Sequence, residues 1–394
     1  MEGTGADDRV LVWQCLDADF CAGVGDQARG IAAALYTAML SGRILFVRWS
    51  RHGQDVTSIF GKRAVDWQLP DSLLEECGGA TWVSDNSKGE LMRRAKSPDR
   101  CVAVTTNQPP ELELAAVEPA GQGCIEIPLD LPFEHYVGCA MNFLFDFTQS
   151  YETLAAALDK EQSSSSPGTP RLVGLDAAPR QYVAVHLRFG DRVFNGDDAP
   201  DAMMVADALR CAGAAGRELF GPEDDDWGIF FASDSANARA LALGQGRGGP
   251  PVFASGAPPV HSDYTKDAGL DRIWGVWGDQ LLLARAKGLV QCMDMDRRCD
   301  VSGYSQLAAQ VALMPAENVW VALSEGCARG GDVTMNSWFD RAIQVDGCAG
   351  YVSLLREALS IGQDTPQERK DEINREIAAV AEHSGAVGWG DLGE

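Results

Sequence analysis

Residues Gln181–Arg192 read Gln-Tyr-Val-Ala-Val-His-Leu-Arg-Phe-Gly-Asp-Arg, and this stretch decides the fold of the region around it. The run Tyr182–Val185 is short, apolar and rich in valine, which is typical of a buried β-strand. His186, Arg188 and Asp191 follow at its carboxyl end. In open α/β sheets, ligands bind in the crevice outside the carboxyl ends of the strands. Because an arginine there can hold a phosphate or carboxylate with its planar fork of donors, the stretch predicts an anion site.

The sequence that follows alternates apolar runs with helix-like segments. The expected strands are Tyr182–Leu187, Gly228–Ala232, Pro251–Ala254, Gly288–Cys292 and Asn318–Leu323. The expected helices lie within Ala199–Leu219, Ser235–Leu243, Leu270–Lys287 and Gly303–Leu313. Short strands that alternate with helices predict an α/β fold, with a mostly parallel sheet covered on both faces.

The chain also opens with a βαβ pattern. We expect a strand at Val10–Cys15, a helix of small residues at Ile31–Leu40 and a second strand at Arg43–Trp49. Between the first strand and the helix lies Gly23-Val-Gly-Asp-Gln-Ala-Arg-Gly30, which predicts a glycine turn that either binds phosphate at a helix N-terminus or is a simple tight turn. An NAD enzyme is disfavoured, because the third glycine comes too late and Val47-Arg48-Trp49 lacks an acidic residue.

Composition limits the classes of function. The chain has 394 residues, enough for two ordinary α/β domains, and 45% of them are hydrophobic. Its 57 acidic and 33 basic residues give a net charge of −24, which argues against nucleic-acid binding. No run reaches the roughly 18 apolar residues of a membrane helix, and the first residues lack the features of a signal peptide. The protein is therefore expected to be cytoplasmic, unless a membrane anchor was left out of the sequence.

The eleven cysteines lack the repeated spacing of a zinc site. Cys15 and Cys21 are close enough in sequence to pair, and so are Cys292 and Cys299. We nevertheless favour buried free cysteines over a disulfide framework.

Residues Lys160–Pro170 contain four consecutive serines followed by Pro-Gly-Thr-Pro, which predicts a flexible linker. We therefore expect an N-terminal domain over residues 1–170 and a C-terminal domain over residues 171–345. A tail follows over residues 346–394. There Thr365-Pro-Gln-Glu368 has the pattern of a capping box and predicts an amphipathic helix that packs on the body of the protein.

Five short motifs together resemble the GDP-fucose-dependent fucosyltransferases, the superfamily of α1,2-, α1,6- and protein O-fucosyltransferases that includes the rhizobial nodulation enzyme. The motifs are Gly23–Gly30 (similar to Gly-Leu-Gly-Asn-Arg-Leu-Arg-Ala), His186–Asp191 (His-x-Arg-x-Gly-Asp), Ile229–Asp234 (Phe-x-Ala-Thr-Asp-Asp), Gly278–Leu283 (Asp-Ile-His-Phe-Leu) and Ser302–Leu307 (Thr-Phe-Ser-Ser-Gln). The resemblance covers roughly Val10–Trp49 and Tyr182–Leu313. Asp26 stands where the family has asparagine, and Phe189 stands where many members have a second arginine.

The resemblance implies a GT-B architecture, with two facing Rossmann-like domains, to which this chain adds a C-terminal helical tail. It implies an inverting, metal-independent transfer of fucose from GDP-fucose to a hydroxyl of a glycan or glycoprotein, without a further cofactor. It also implies that the ER or Golgi lumen is the location if an anchor was omitted.

The resemblance also assigns the residues of the donor site. Arg188 would bind the β-phosphate and stabilise the leaving diphosphate. His186 would orient the loop or bond the nucleotide, and Asp191 would hold Arg188 or Arg192 in place. Asp279 matches the aspartate that contacts the guanine nucleotide. The other donor-binding candidates are Gly23, Gly25, Asp26, Arg29, Asp234, Tyr304, Ser305 and Gln306.

Simpler roles stay open for several of these residues. Arg188 could form a surface salt bridge, His186 could be a core histidine, Asp234 could cap the helix at Ser235, and Asp279 could be an exposed helix position. The general base that activates the acceptor is unassigned; the available residues are Asp17, Asp19, Glu134 and His135. Because Asp26 and Phe189 depart from the family pattern, a pseudoenzyme that only binds a nucleotide or glycan is the alternative function.

Overall fold

A computed structural model of the 394-residue chain describes residues 9–16, 19, 21–51, 54–55, 60–77, 79–83, 89–107, 133–147, 150, 181–190, 202–222, 224, 226–245, 249–255, 270–292, 302–312, 314–323 and 326–329. The chain divides into two units: residues 1–146 with 343–394, and residues 147–342. The predicted linker, the boundary near residue 170 and the tail helix lie outside the described residues and stay predictions.

The first unit contains a five-stranded sheet. Its strands and those of a small separate pair are β1 (Val10–Cys15), β2 (Ile44–Arg51), β3 (Gln54–Asp55), β4 (Gly61–Lys62), β5 (Thr81–Val83), β6 (Cys101–Thr106) and β7 (Phe145–Asp146). The sheet order is β3-β2-β1-β6-β5, parallel except for β3, while β4 and β7 pair antiparallel. The helices are α1 (Val24–Ser41), α2 (Asp71–Cys77), α3 (Glu90–Ala95) and α4 (Phe133–Leu144). The βαβ pattern predicted at the start of the chain is confirmed.

The predicted glycine turn does not extend over Gly23–Gly30, because most of this stretch is helical. Helix α1 begins at Val24, so that Gly23 is the N-cap and the rest of the motif is helical. Gly30 lies where α1 crosses β6, and a Cβ atom there would overlap the main-chain carbonyl of Thr106. The glycine therefore permits close packing of helix on sheet, a tertiary requirement that a local turn pattern does not distinguish from a loop.

Arg43 holds together the segment that joins α3 to β6. Only 3% of Arg43 is exposed, and burial lowers the pKa of its guanidinium. Its side chain donates five hydrogen bonds to main-chain carbonyl oxygens. The acceptors are Ala95 (2.5 Å), Val10 (2.9 Å), Arg100 (3.1 Å), Ser97 (2.6 Å) and Asp99 (2.9 Å). One charged side chain thus donates a hydrogen bond to each of five main-chain carbonyls in and around this segment.

The second unit contains a six-stranded sheet. Its strands are β8 (Gln181–Leu187), β9 (Trp227–Ser233), β10 (Val252–Phe253), β11 (Gly288–Cys292), β12 (Val319–Leu323) and β13 (Gly326–Arg329). Its helices are α5 (Ala202–Phe220), α6 (Ala236–Gln245), α7 (Leu270–Arg285) and α8 (Gly303–Val311), followed by a 3-10 turn at Ala316–Asn318. All five predicted strands and all four predicted helices are present, with ends shifted by a few residues.

The order of this sheet is β10-β9-β8-β11-β12-β13, and only β13 is antiparallel. The first strand, β8, is therefore central, and the chain moves outward from it in one direction and then in the other. Such a reversal opens a crevice at the carboxyl ends of the two strands on either side of it, here β8 and β11.

Apolar cores cover both faces of the sheet, as expected for a parallel sheet. One core includes Val183, Val185 and residues of α5, and the other includes Tyr182, Ala184 and residues of α7 and α8. The prediction of an α/β fold with parallel sheets is confirmed, whereas the facing arrangement of two domains stays a prediction.

The expectation of buried free cysteines is wrong. Disulfides join Cys15 to Cys21, Cys77 to Cys101 and Cys211 to Cys327, with Cα–Cα distances of 6.0, 5.1 and 5.1 Å. Cys139 and Cys292 are disulfide-bonded as well. Only the first pair is close in sequence; the other two span 24 and 116 residues, so the fold must bring their partners together. Structural disulfides are typical of oxidising compartments.

Among the residues that the structure describes, no helix is both long enough and apolar enough to cross a membrane.

Candidate functional site

The loop that follows β8 is held by a carboxylate from the neighbouring strand. Asp234 comes directly after β9 and accepts hydrogen bonds from the main-chain N–H groups of Phe189 (2.9 and 3.2 Å) and Gly190 (3.0 Å). Gly190 has a φ of +88°, a conformation that favours glycine. Because β8 and β9 are parallel neighbours, the two strand ends predicted to carry polar groups meet at one edge of the sheet.

The interpretation of Asp234 as the cap of α6 is wrong. The Ser235 hydroxyl takes that role, since it accepts the N–H of Ala238 at 3.1 Å. Asp234 instead faces the β8 loop, where its carboxylate lies 3.9 Å from a guanidinium nitrogen of Arg188. Burial raises the pKa of Asp234, and the N–H of Phe189 and the charge of Arg188 oppose that rise.

Arg188 is the more accessible member of this pair. Its side chain is 27% exposed, against 5% for that of Asp234. The structure thus places Arg188 just after the end of β8, beside a buried carboxylate and with part of its side chain exposed. Asp191, predicted to hold Arg188, lies outside the described residues.

His186 is buried on the α8 side of the sheet. Its ring centroid lies 5.3 Å from that of Tyr304. Burial lowers the pKa of His186 to about 3, and the charges of Arg188 and Arg239 add to this effect. The imidazole is therefore neutral near pH 7, so it can donate one hydrogen bond and accept another but supplies no positive charge.

Acidification is expected to destabilise the protein through His186. Its folded pKa of about 3 lies below its ordinary 6.5, so between these values only the unfolded chain takes up the proton. This contribution is complete above pH 6.5 and is lost as the pH falls, by about 2 kcal/mol between pH 7 and pH 5. Urea unfolding of the wild type and His186→Gln at both pH values measures it. An equal loss of stability in both proteins would contradict the shifted pKa.

Asp279 is part of a buried ion pair. It lies on α7 with 5% of its surface exposed, so the interpretation as an exposed helix position is wrong. Its Oδ2 accepts a 2.6 Å hydrogen bond from Nη2 of Arg239 on α6. Its Oδ1 is buried and has no hydrogen-bond partner within the described part of the chain. An enclosed carboxylate oxygen without a partner is costly, which marks it as a place where a donor group could bind.

The predicted Ser/Tyr/Gln cluster forms the start of α8. Ser302 is the N-cap and accepts the N–H of Tyr304 at 3.2 Å. The Ser305 hydroxyl donates to the carbonyl of Ser302 at 3.0 Å, and the Tyr304 hydroxyl donates to that of Val276. Burial, with a smaller contribution from the charge of Asp279, raises the pKa of Tyr304 well above its usual value. Both hydroxyl protons are thus used within the protein.

Gln306 lies in the first turn of α8, where its main-chain N–H donates to the Ser302 carbonyl at 3.0 Å. That N–H closes the first turn of the helix, so it does not point outward to a ligand. A donor contact of Gln306 stays a prediction.

Sequence reasoning missed Arg239 and Gln291. Gln291 is 1% exposed, and within the described ranges neither atom of its amide has a hydrogen-bond partner. It pairs in register with His186 on β8, so both side chains lie on the same face of the sheet. The sequence did contain one sign of a functional role for Gln291, namely a polar residue inside the otherwise apolar run Gly288–Cys292. For Arg239 there was none, because one arginine in a helix is ordinary.

In the first unit, the charged residues of the Gly23–Gly30 motif bind each other. Asp26 accepts the N–H of Gly23 at 3.3 Å and forms an ion pair with Arg29, while Gly25 is buried in the first turn of α1. A carboxylate thus lies at the helix N-terminus, the position that favours an anion. Donor contacts by Gly23, Gly25, Asp26 and Arg29 stay predictions.

The general base stays unassigned. Asp19 accepts the N–H of Leu16 at 2.8 Å in a tight turn. Asp17 and the side chains of Glu134 and His135 lie outside the described residues.

No protein-family model and no curated protein sequence matches the chain. Among solved structures, it resembles a mutant of Arabidopsis thaliana FUT1 in complex with GDP, at 14% identity over 84% of this chain and 75% of that one, with a TM-score of 0.45. It resembles fucosyltransferase NodZ from Bradyrhizobium at 15% identity over 82% and 98%, with a TM-score of 0.45. A NodZ α-1,6-fucosyltransferase soaked with GDP-fucose gives 14% identity over 82% and 99%, with a TM-score of 0.41. Both NodZ structures are named as fucosyltransferases.

Proposed function

We propose that the protein is an inverting, metal-independent glycosyltransferase that moves fucose from GDP-fucose to a hydroxyl of a glycan or glycoprotein. The observation that carries the proposal is a continuous polar chain at the carboxyl edge of the second sheet. Arg188 faces Asp234, which directly follows Ser233 in the sequence. Arg239 then donates hydrogen bonds both to the carbonyl of Ser233 and to the carboxylate of Asp279. These contacts connect the partly exposed cation Arg188 to the buried acceptor Asp279. A cation is needed to bind a diphosphate, and an acceptor is needed to bind the guanine base.

Arg188 would hold the diphosphate. When the acceptor hydroxyl attacks the anomeric carbon, the bond from that carbon to the β-phosphate oxygen breaks and its electron pair stays on GDP. A permanently charged arginine that already lies at this oxygen stabilises the charge as it develops. The hydroxyl proton passes to a base that is unassigned.

Asp279 would bind the guanine base. Guanine presents two adjacent N–H donors, and an ionised carboxylate offers only acceptors. The unpartnered Oδ1 of Asp279 supports this role. Because that oxygen is enclosed, we expect the base to reach it only after the side chains that cover it move. Neutral His186 would supply a further hydrogen bond to the nucleotide.

The disulfides indicate the cellular compartment in which the protein works. The pairs Cys77–Cys101 and Cys211–Cys327 join segments far apart in the chain, and such bonds persist in oxidising compartments. They favour the ER or Golgi lumen over the cytoplasm.

A protein that binds the donor without transferring sugar is the second candidate. Phe189, which stands where many fucosyltransferases have a second arginine, packs against the apolar core of α5 and β8. This leaves less positive charge at the end of β8 than the family pattern supplies.

Calorimetric titration with GDP-fucose, GDP-mannose, UDP-glucose and NAD tests the proposal first. We expect binding of the two GDP compounds alone, and release of GDP from GDP-fucose when a glycan acceptor is added, with or without EDTA. Binding without release across an acceptor panel would favour the non-catalytic candidate. Loss of activity in EDTA would contradict metal independence, and no binding of GDP compounds to folded protein would refute both candidates.

A further inference from the structure

Arg239 joins three elements at the carboxyl edge of the second sheet. Its Nε donates to the carbonyl of Ser233 at the end of β9 (2.9 Å), and its Nη1 donates to the hydroxyl of Ser255 just after β10 (3.2 Å). Its Nη2 donates to Asp279 on α7 (2.6 Å). The arginine and aspartate side chains are 11% and 7% exposed. Three fixed acceptors therefore hold the guanidinium plane in one orientation.

A purely structural ion pair does not account for this geometry. Burying two charges costs more than their attraction returns unless the remaining hydrogen-bonding positions are also satisfied. Arg239 meets that condition through Ser233 and Ser255, whereas Asp279 does not, because its Oδ1 has no partner in the described ranges. The hydrogen bonds of Arg239 are thus satisfied, whereas the enclosed Oδ1 of Asp279 is left without a hydrogen bond.

We propose that Arg239 is a positioning residue that aims Oδ1 of Asp279 at the base of the donor and thereby makes the site selective for guanine. This inference rests on the proposed function. Contact with Arg239 fixes the rotation of the Asp279 carboxylate, so that Oδ1 faces one direction. A carboxylate oxygen at that place accepts an N–H and repels a ring nitrogen that is itself an acceptor. The inference assigns the 2-amino group of guanine as the donor to Oδ1, so hypoxanthine, which keeps its N1–H but lacks that amino group, loses this hydrogen bond.

Binding of GDP and IDP to Arg239→Lys tests the inference. IDP carries the same diphosphate, but its hypoxanthine base lacks the 2-amino group. We expect the wild type to prefer GDP by at least about tenfold and the variant to prefer it by less than about threefold. IDP affinity should change little. Lysine keeps the charge but replaces the planar fork by a single point of contact, so it no longer fixes the rotation of the carboxylate.

Arg210→Lys is the matched control, because Arg210 also pairs with a buried aspartate, Asp207, in the same unit. It should leave both affinities unchanged. A wild-type preference for GDP that persists in Arg239→Lys, or an equal loss for both nucleotides, would overturn the inference while the proposed function stands. A wild type that binds neither nucleotide overturns both.

Ser255→Ala tests the proposed role of Arg239 if Arg239→Lys does not fold. It removes only the hydrogen bond to Nη1, at a residue that is not fully buried. We expect the GDP preference to fall by about two- to threefold, because Ser233 and Asp279 still hold the other two nitrogens of the guanidinium. An unchanged preference would overturn the inference.

Discussion

Arg188→Ala is expected to lower the turnover of GDP-fucose by a factor of about 10² to 10³, the usual effect of removing one donor that stabilises charge in a transition state. The free energy of unfolding should change by less than about 1 kcal/mol, since the side chain is partly exposed and its partner lies 3.9 Å away. A large kinetic effect with a small effect on stability is the signature of a group that acts on the ligand.

Single-turnover release of GDP measures this prediction, and urea unfolding of the same samples measures the stability. Arg210→Ala is the control: it also removes an arginine beside a buried aspartate, but on the outside of α5. Arg188→Lys keeps the charge without the fork and should fall between the wild type and the alanine variant. If the protein binds the donor without turnover, the same variants are compared by GDP affinity. Turnover or affinity equal to that of the wild type would rule out the role of Arg188.

Arg43→Met is expected to reduce the free energy of unfolding by about 5 kcal/mol or more. Methionine matches much of the side-chain volume but donates no hydrogen bond, so five main-chain carbonyls each lose one hydrogen bond at once, and of these the carbonyl of Arg100 keeps the N–H of Val10. The segment between α3 and β6 would then have to rearrange to reach water. Since β6 pairs with β1, the damage would extend into the centre of the first sheet.

Urea unfolding followed by circular dichroism measures the effect, and Arg93→Met is the control. Arg93 lies on the surface of α3 and pairs with Glu90, so its loss should not change the unfolding midpoint measurably. If Arg43→Met does not accumulate as folded protein while the control does, that agrees with the prediction. Equal midpoints for the two variants would show that the carbonyls find other partners.

The order of strands and helices in the second unit was predictable because it depends on local patterns. The run Tyr182–Leu187 is apolar for longer than one face of a strand requires, which indicates a strand buried on both sides. The same reasoning placed Gly288–Cys292 without error. In the first unit it failed at Gly25 and Gly30, because glycine is typical both of turns and of helices that pack closely on a sheet.

Local sequence patterns were enough to predict that polar groups lie at strand ends. His186, Arg188 and Asp234 each follow an apolar run, and the carboxyl ends of parallel strands share one edge of a sheet. The contacts of these groups could not be predicted, because they form only when distant segments pack together. The tertiary structure made the Asp234 carboxylate an acceptor for the loop after β8 and gave the cap of α6 to Ser235.

Tertiary structure alone also determined the partners that lie far apart in the chain. Arg239 meets Asp279 forty positions away, Arg43 reaches the segment before β6, and Cys211 bonds Cys327 across 116 residues. Local hydrophobic periodicity determines whether a segment is a strand or a helix and which of its faces is buried. Which two segments become neighbours depends on strand order and helix packing, which follow from the burial of apolar surface over the whole chain.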